Sequence, residues 1–169
     1  LDAITQSLTI SQIVCVDDGS ADETYKKIQT DYPNVTLVRL DRNLGKSRAI
    51  AHGVAQARED NILMFDADLK EIDIAQLDEA IAAFASSPWV DMMILRRMKD
   101  LMLCRLLRID IVLSGERLLR KCDLTQALES SPLGYQLELA INDYMDANSK
   151  AVCWKPLSSE HMVKIEKAG

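Results

Sequence analysis

The sequence of 169 residues lacks the features that define several large classes of protein. No apolar run approaches the ~20 residues that a membrane-spanning helix needs. Because Asp2 interrupts the first apolar stretch, we expect no secretory signal peptide. Six glycines and four prolines are too few for a collagen-like or low-complexity chain. Basic residues are outnumbered, 20 against 26 acidic ones, which disfavours a nucleic-acid binder because such proteins carry a basic excess.

The cysteines are few and scattered, at positions 15, 104, 122 and 153. None forms a C-x-x-C pair, so the pattern favours free thiols in a reducing compartment over disulfides or a zinc site. A content of 48% hydrophobic and 27% charged residues is typical of a soluble globular chain. We therefore expect a single cytoplasmic domain over residues 1–169.

Apolar runs alternate with helical patterns up to Leu95. Leu1, Ile4 and Leu8 share one helical face, so the chain is expected to begin within a helix. Alternating strands and helices predict a three-layer α/β fold, in which a mainly parallel sheet carries helices on both faces. Beyond Leu95 the pattern is less regular. The strands are predicted at residues 13–16, 35–40, 62–65, 90–95 and 151–154, and a late helix at 135–145.

Carboxylates follow two of the predicted strands, as Asp17-Asp18 and as Asp66-Ala67-Asp68. The carboxyl ends of parallel strands share one edge of a sheet, where ligands bind in this fold class. A hard cation such as Mg²⁺ or Mn²⁺ takes oxygen ligands and keeps waters and substrate phosphates. A departing nucleoside diphosphate needs such a cation because it gains negative charge. Each motif alone also fits an ordinary turn or a helix cap.

A third segment, Asn43-Leu44-Gly45-Lys46, combines a glycine turn with the start of a predicted helix. Free backbone N–H groups at a helix start attract anions, and Lys46 and Arg48 add positive charge. An ordinary turn with two solvated cations would give the same letters. The segment therefore indicates an anion site only in combination with the two carboxylate motifs.

In this order, the three segments resemble family 2 glycosyltransferases, whose catalytic domain has the GT-A fold of the nucleotide-diphospho-sugar transferases. The family's V-D-D-G-S, N-x-G-K-x-x-A and D-A-D motifs correspond to Val16–Ser20, Asn43–Ala49 and Asp66–Asp68. The resemblance implies transfer of a sugar from a UDP- or GDP-type donor to an acceptor hydroxyl. It is firm up to Leu95 and looser beyond.

The resemblance also implies roles at the donor site. Asp17 or Asp18 would contact the base, and Asp66 with Ala67 the ribose or sugar. Asp68 would bind Mg²⁺ or Mn²⁺, and His161 would be a second ligand, although it equally fits an exposed residue on a polar tail. Lys46 would lie near the base or the diphosphate, and Lys164 would approach the diphosphate.

The acceptor side is assigned by two looser matches. Ser114, Gly115 and Glu116 resemble the family's acceptor-lining S-G segment, and residues 134–138 resemble its G-[YF]-x-x-E segment. An inverting transferase needs a carboxylate base, for which Glu138 is the first candidate and Glu116 the second. Glu138 and Asp66 are therefore the expected catalytic residues. A retaining enzyme would need no such base.

Two departures from the family pattern lead to further expectations. The family's first strand has no counterpart, so the domain is expected to be truncated at its N-terminus, with an exposed sheet edge. The hydrophobic C-terminal helices of membrane-bound members are also missing. Basic and apolar residues mix at 98–108, which would allow peripheral contact with the inner face of a membrane or form an acceptor loop.

Two other functions compete with transfer. A phosphorylation-controlled receiver domain also gathers carboxylates around Mg²⁺, here Asp17, Asp18 and Asp66, and Lys155-Pro156 resembles its Lys-Pro pair. That interpretation leaves Asp68 and the Asn43–Lys46 turn unexplained. A noncatalytic relic that binds a nucleotide sugar is the third reading.

Overall fold

The computed structural model describes residues 1–97, 109–129 and 137–161. Up to residue 97 the elements are a 3-10 turn (Ile4–Gln6), β1 (Val14–Asp17), α1 (Thr24–Asp31), β2 (Thr36–Arg39), α2 (Lys46–Gln56), β3 (Asn61–Met64), β4 (Leu69–Lys70), α3 (Ile74–Ala85) and β5 (Met92–Arg97). The remaining described elements are α4 (Ile109–Val112), β6 (Arg117–Arg120), α5 (Lys121–Glu129), α6 (Leu137–Ala147), β7 (Val152–Leu157) and β8 (Glu160–His161).

The predicted alternation of strands and helices up to Leu95 is confirmed, with boundaries that shift by one or two residues. The predicted N-terminal helix is wrong. Only a single 3-10 turn forms, and Leu8 is 95% exposed. The hydroxyls of Ser7 and Thr9 and the backbone N–H of Leu8 all bond the carboxylate of Asp78 on α3, which holds this segment in a loop.

The larger sheet is mixed and has the strand order β3-β6-β5-β7. β5 and β7 are parallel, whereas β6 runs antiparallel to both of its neighbours, β3 and β5. The sequence pattern did not predict β6, because its only two apolar residues, Leu118 and Leu119, lie between Arg117 and Arg120 and do not form an apolar run. The described sheets are otherwise a parallel β1–β2 pair and a short antiparallel β4–β8 pair.

The core lies on both faces of the larger sheet, which confirms the three-layer arrangement. Alternate residues of β5 point to opposite sides, Met92 and Ile94 to one cluster and Met93 and Leu95 to the other. Helices α2, α5 and α6 cover the first face, and α3 covers the second. Their buried residues include Val54, Leu124 and Ile141 on the first face and Leu77, Ala80 and Phe84 on the second.

A cleft separates the β1–β2 pair from the larger sheet. Its volume is about 1390 Å³, and residues of β1, α2, β3 and α3 line it. In the described part of the chain, no strand pairs with the free edge of β1 or of β3. The side chains that face the gap, such as Val14, Val16 and Ile62, are consequently only half-buried.

A charged side chain lies at the centre of the larger sheet. Arg117 of β6 is fully buried. Its guanidinium donates to the carbonyl oxygens of Ser114 (2.7 Å) and Val112 (2.8 Å) and to Oδ1 of Asn142 (2.6 Å). Burial lowers the pKa of Arg117 to about 10, against the opposing effect of Glu138 and Glu116, so the group stays charged at neutral pH. It thereby joins β6 to the segment before it and to α6.

Replacing Arg117 by Ala should cost roughly 3–5 kcal/mol of unfolding free energy, because buried acceptors lose their donors. Urea denaturation followed by circular dichroism measures this change. The control is Arg58→Ala, at an exposed position, with an expected change within about 0.5 kcal/mol. A loss for Arg117→Ala as small as that of the control would contradict this role.

Candidate functional site

Asp17 and Asp18 end β1 but have different surroundings. The side chain of Asp17 is fully buried, accepts a hydrogen bond from the N–H of Ser20 (3.0 Å) and pairs with Nε of Arg39 (3.5 Å). It therefore closes its own turn. Gly19 in that turn has φ +74°, and a Cβ there would lie 2.5 Å from the backbone of Arg42, so only glycine fits.

Asp18 joins the first motif to the second. Its carboxylate accepts hydrogen bonds from the N–H groups of Leu44 (2.7 Å) and Gly45 (2.9 Å). Gly45 has φ +88° and is the N-cap residue of α2. Asp18 thus fixes the turn that leads into α2. The predicted contacts of Asp17 and Asp18 with a nucleotide base stay predictions.

Three charged side chains meet beyond the end of β3. Nζ of Lys46, the first residue of α2, lies 2.8 Å from Oδ1 of Asp66 and 2.7 Å from Oε1 of Glu138 on α6. The exposed fractions of these side chains are 44% for Lys46, 26% for Asp66 and 12% for Glu138. Burial lowers the pKa of Lys46, but hydrogen bonds to both carboxylates outweigh it and raise the pKa above its ordinary value. The structure therefore brings together two predicted donor-site residues from the first half of the chain and the predicted base from the second half.

The Ser114–Glu116 segment packs against Asp66 through its glycine. A Cβ at Gly115 would lie 2.5 Å from Oδ2 of Asp66, so the carboxylate rests on bare backbone. Ser114 and Glu116 are fully buried, and the Ser114 hydroxyl lies 2.9 Å from Oε2 of Glu116 and 3.0 Å from the carbonyl oxygen of Leu95. These two side chains support the segment from inside, and their predicted contact with an acceptor stays a prediction.

The β4–β8 pair brings the backbone of His161 close to the residue that follows Asp68. His161 is paired with Leu69, the residue that follows Asp68. Asp73, the N-cap of α3, draws the same segment inward, because its N–H donates to the carbonyl oxygen of Ser158. The sequence indicates only a polar tail from Ser158. A two-residue strand leaves no signal in a sequence. Lys164 and residues 134–136 lie outside the described residues.

The donor set suits a hard cation only in part. Within residues 1–97, 109–129 and 137–161, no three His, Cys, Asp or Glu side chains cluster as metal ligands. Asp68 and His161 would supply two ligands. A Mg²⁺-type ion commonly takes one or two carboxylates and completes its shell with waters and substrate phosphates. The residues therefore fit a cation that arrives with a phosphorylated ligand.

Within residues 1–97, 109–129 and 137–161, none of the helices has the length and apolar character of a membrane span.

Glycine is required at position 115 but not at position 53. Gly115→Ala should displace the Asp66 carboxylate and lower the unfolding free energy by about 1–3 kcal/mol, as overpacking does. Gly53→Ala in α2 should be neutral or stabilising by up to about 1 kcal/mol, because alanine favours a helix and the nearest atom is a Val16 methyl at the cleft, 3.1 Å away. Thermal denaturation of both variants measures the contrast. Equal effects would contradict the assigned contact with Asp66.

Comparison with known sequences gives a family match. The profile described as glycosyl transferase family 2 matches residues 2–102. The chain is 34% identical over 90 residues to dolichyl-phosphate beta-glucosyltransferase of Mus musculus, covering 48% of this chain and 27% of that protein. It is 40% identical over 63 residues to undecaprenyl-phosphate 4-deoxy-4-formamido-L-arabinose transferase of Pseudomonas fluorescens, covering 35% of this chain and 18% of that protein. The matched segments thus span about a quarter or less of these relatives.

Solved structures show the same fold. Glucosyl-3-phosphoglycerate synthase from Mycobacterium tuberculosis, in complex with Mn²⁺ and UDP-glucose, superposes with a TM-score of 0.67 at 18% identity. The superposition covers 91% of this chain and 61% of that one. At this identity the likeness establishes the fold alone, and it confirms the predicted fold class.

Proposed function

Because the chain belongs to glycosyl transferase family 2, we propose that it moves a sugar from a nucleotide-diphosphate sugar to an acceptor hydroxyl with the help of a divalent cation. Its fold is the GT-A fold of the superposed transferases. The observation that carries the proposal is the meeting of Lys46, Asp66 and Glu138 beyond the end of β3, next to the β4–β8 pair. The family match and the fold favour this function over the receiver-like alternative.

The donor would lie across the ends of β1 and β3. The first amides of a helix have no intrahelical acceptors, so the N-terminus of α2 suits a diphosphate, and Lys46 adds a positive charge there. Asp66 would contact the ribose or the sugar. Asp18 would act by holding the Leu44–Gly45 turn in place. Lys164 retains its predicted role near the diphosphate.

Asp68 and His161 would hold Mg²⁺ or Mn²⁺. When bound, the cation stabilises the charge that develops on the departing diphosphate. The pairing of His161 with Leu69 supports this assignment, because it places the two ligand positions next to each other in the backbone. The Mn²⁺ in the superposed synthase complex supports the cation class.

Glu138 would be the base of an inverting reaction, accepting the proton of the attacking hydroxyl. Its side chain is 12% exposed and shares Lys46 with Asp66, which sets acceptor and donor sides next to each other. Glu116, the second candidate, is fully buried against Ser114. The geometry therefore favours Glu138.

The domain and the acceptor are also matters of proposal. We assign residues 1–169 to one catalytic domain in which the cleft between β1 and β3 corresponds to the place of the family's first strand. Among the described residues no strand pairs with the facing edges of β1 and β3, and the lining of the cleft is largely apolar. The names of two relatives contain polyprenyl phosphates, so a lipid-linked phosphate at the inner face of a membrane is the first acceptor to test. Phosphoglyceric acid, present in one superposed complex, is the second.

The proposed donor site is tested by thermal denaturation with UDP or GDP, each with and without Mn²⁺. At 100 times its dissociation constant, a nucleotide should stabilise the folded chain by roughly 2.7 kcal/mol. We expect a metal-dependent shift with one of the two nucleotides. Asp68→Ala should abolish the metal dependence, whereas Asp146→Ala, at an exposed position on α6, should keep it.

Two outcomes would count against this assignment. An unchanged metal-dependent shift in Asp68→Ala would show that the cation binds elsewhere. No shift with either nucleotide would contradict donor binding by this chain.

For transfer itself, Asp66→Ala should lose activity with each donor while its melting temperature stays near that of the unmodified protein.

A further inference from the structure

Lys46 stands at a position where helix electrostatics disfavour a cation. It is the first residue of α2, and the N-terminus of a helix carries partial positive charge. Asp66 and Glu138 offset this disadvantage from elements that are far away in sequence. A cation at the N-terminus of a helix, held there by distant carboxylates, is typical of functional sites rather than of surface charges.

The ammonium of Lys46 links the two halves of the site. Oδ1 of Asp66 and Oε1 of Glu138 both contact Nζ, so these oxygens lie within the sum of the two distances, about 5.5 Å, of each other. The hydrogen bond also occupies Oε1 of Glu138, one of the two atoms that would receive a proton from an acceptor. A carboxylate tied in this way is less able to bind a hydroxyl group.

Resting on the proposed function, we infer that Lys46 is a positioning residue that couples donor binding to the availability of Glu138. Without a donor, Lys46 holds Glu138. A nucleoside diphosphate at the N-terminus of α2 offers phosphate oxygens to the same ammonium, which then leaves Oε1. Glu138 becomes free to accept the hydrogen bond of the acceptor hydroxyl.

The strength of the contacts allows this exchange. The side chain of Lys46 is 44% exposed, and ion pairs at such exposure are individually weak because water screens them. A diphosphate carries more than one negative charge and makes charge-assisted hydrogen bonds, so it competes effectively with one carboxylate. Glu138 would remain in place after the exchange, since the guanidinium of Arg117 donates a hydrogen bond to Oδ1 of Asn142 and anchors α6.

A binding experiment with a double-mutant cycle tests the coupling without any turnover. The probe is UDP with Mn²⁺, or GDP with Mn²⁺ where that nucleotide binds. Glu138→Gln should tighten nucleotide binding by roughly fivefold, the low end of couplings between ligand sites, because Lys46 no longer has to leave a charged partner. Lys46→Met should weaken binding. In the Lys46→Met background, Glu138→Gln should have no further effect.

A matched pair elsewhere supplies the control. Lys155 makes an ion pair of the same length, 2.7 Å, with Glu79 on α3. Lys155→Met should leave nucleotide affinity unchanged. Thermal denaturation of every variant checks that it is folded. Lys46→Arg, which keeps the charge, should retain more affinity than Lys46→Met.

Three results would overturn the coupling. Glu138→Gln could leave affinity unchanged or weaken it, which would show that Glu138 does not compete for Lys46. Glu138→Gln could also tighten nucleotide binding equally with and without Lys46. That result would show that the effect comes from removing a negative charge near the nucleotide and not from releasing Lys46. Failure of the proposed function looks different, because the unmodified chain would then bind neither nucleotide.

Discussion

The buried charge of Arg117 is the constraint on which both sides of the site depend. The N–H donors of a guanidinium at the centre of a sheet must have acceptors. Those of Arg117 donate to the carbonyl oxygens of Ser114 and Val112 and to Oδ1 of Asn142. Asn142 lies one helical turn beyond Glu138 on α6, so this bond fixes the helix that carries the proposed base. The hydrogen bond to the Ser114 carbonyl holds the segment in which Gly115 packs against the carboxylate of Asp66. One side chain thereby fixes the positions of both Glu138 and Asp66.

Local sequence patterns were sufficient for the elements that have an uninterrupted apolar run or a regular apolar stripe. The runs before Asp17 and Asp66 are uninterrupted, and α3 has a regular apolar stripe, so their positions were predictable within a residue or two. β6 escaped prediction because its core contribution is only Leu118 and Leu119, which pack into opposite layers. The N-terminal helix failed for a tertiary reason, since Asp78 supplies hydrogen bonds that a helix would have to forgo.

For the site, the motifs named candidate residues but did not predict the contacts that these residues make with one another. The V-D-D-G-S motif does not reveal that Asp18 accepts hydrogen bonds from the Leu44–Gly45 turn, whereas Asp17 accepts one from Ser20 in its own turn. The contact of Lys46 with Glu138 joins residues 92 positions apart. Periodicity carries no information at that separation, and only the packing of α2 and α6 on one face of the sheet creates it. Buried Arg117 has no signal at all, because arginine is normally read as a surface residue.

The gap between β1 and β3 has a consequence for how the molecule opens. The β1–β2 pair shares no strand hydrogen bonds with the larger sheet among the described residues, and α1 beside it has no fully buried residue. Regions with few buried apolar contacts exchange their amide hydrogens through local opening at low free energy. We therefore expect this layer to open as a separate cooperative unit, since it contacts the rest mainly where α2 packs against it. A ligand that bridges the ends of β1 and β3 would fasten the two units together and slow amide exchange throughout the smaller one.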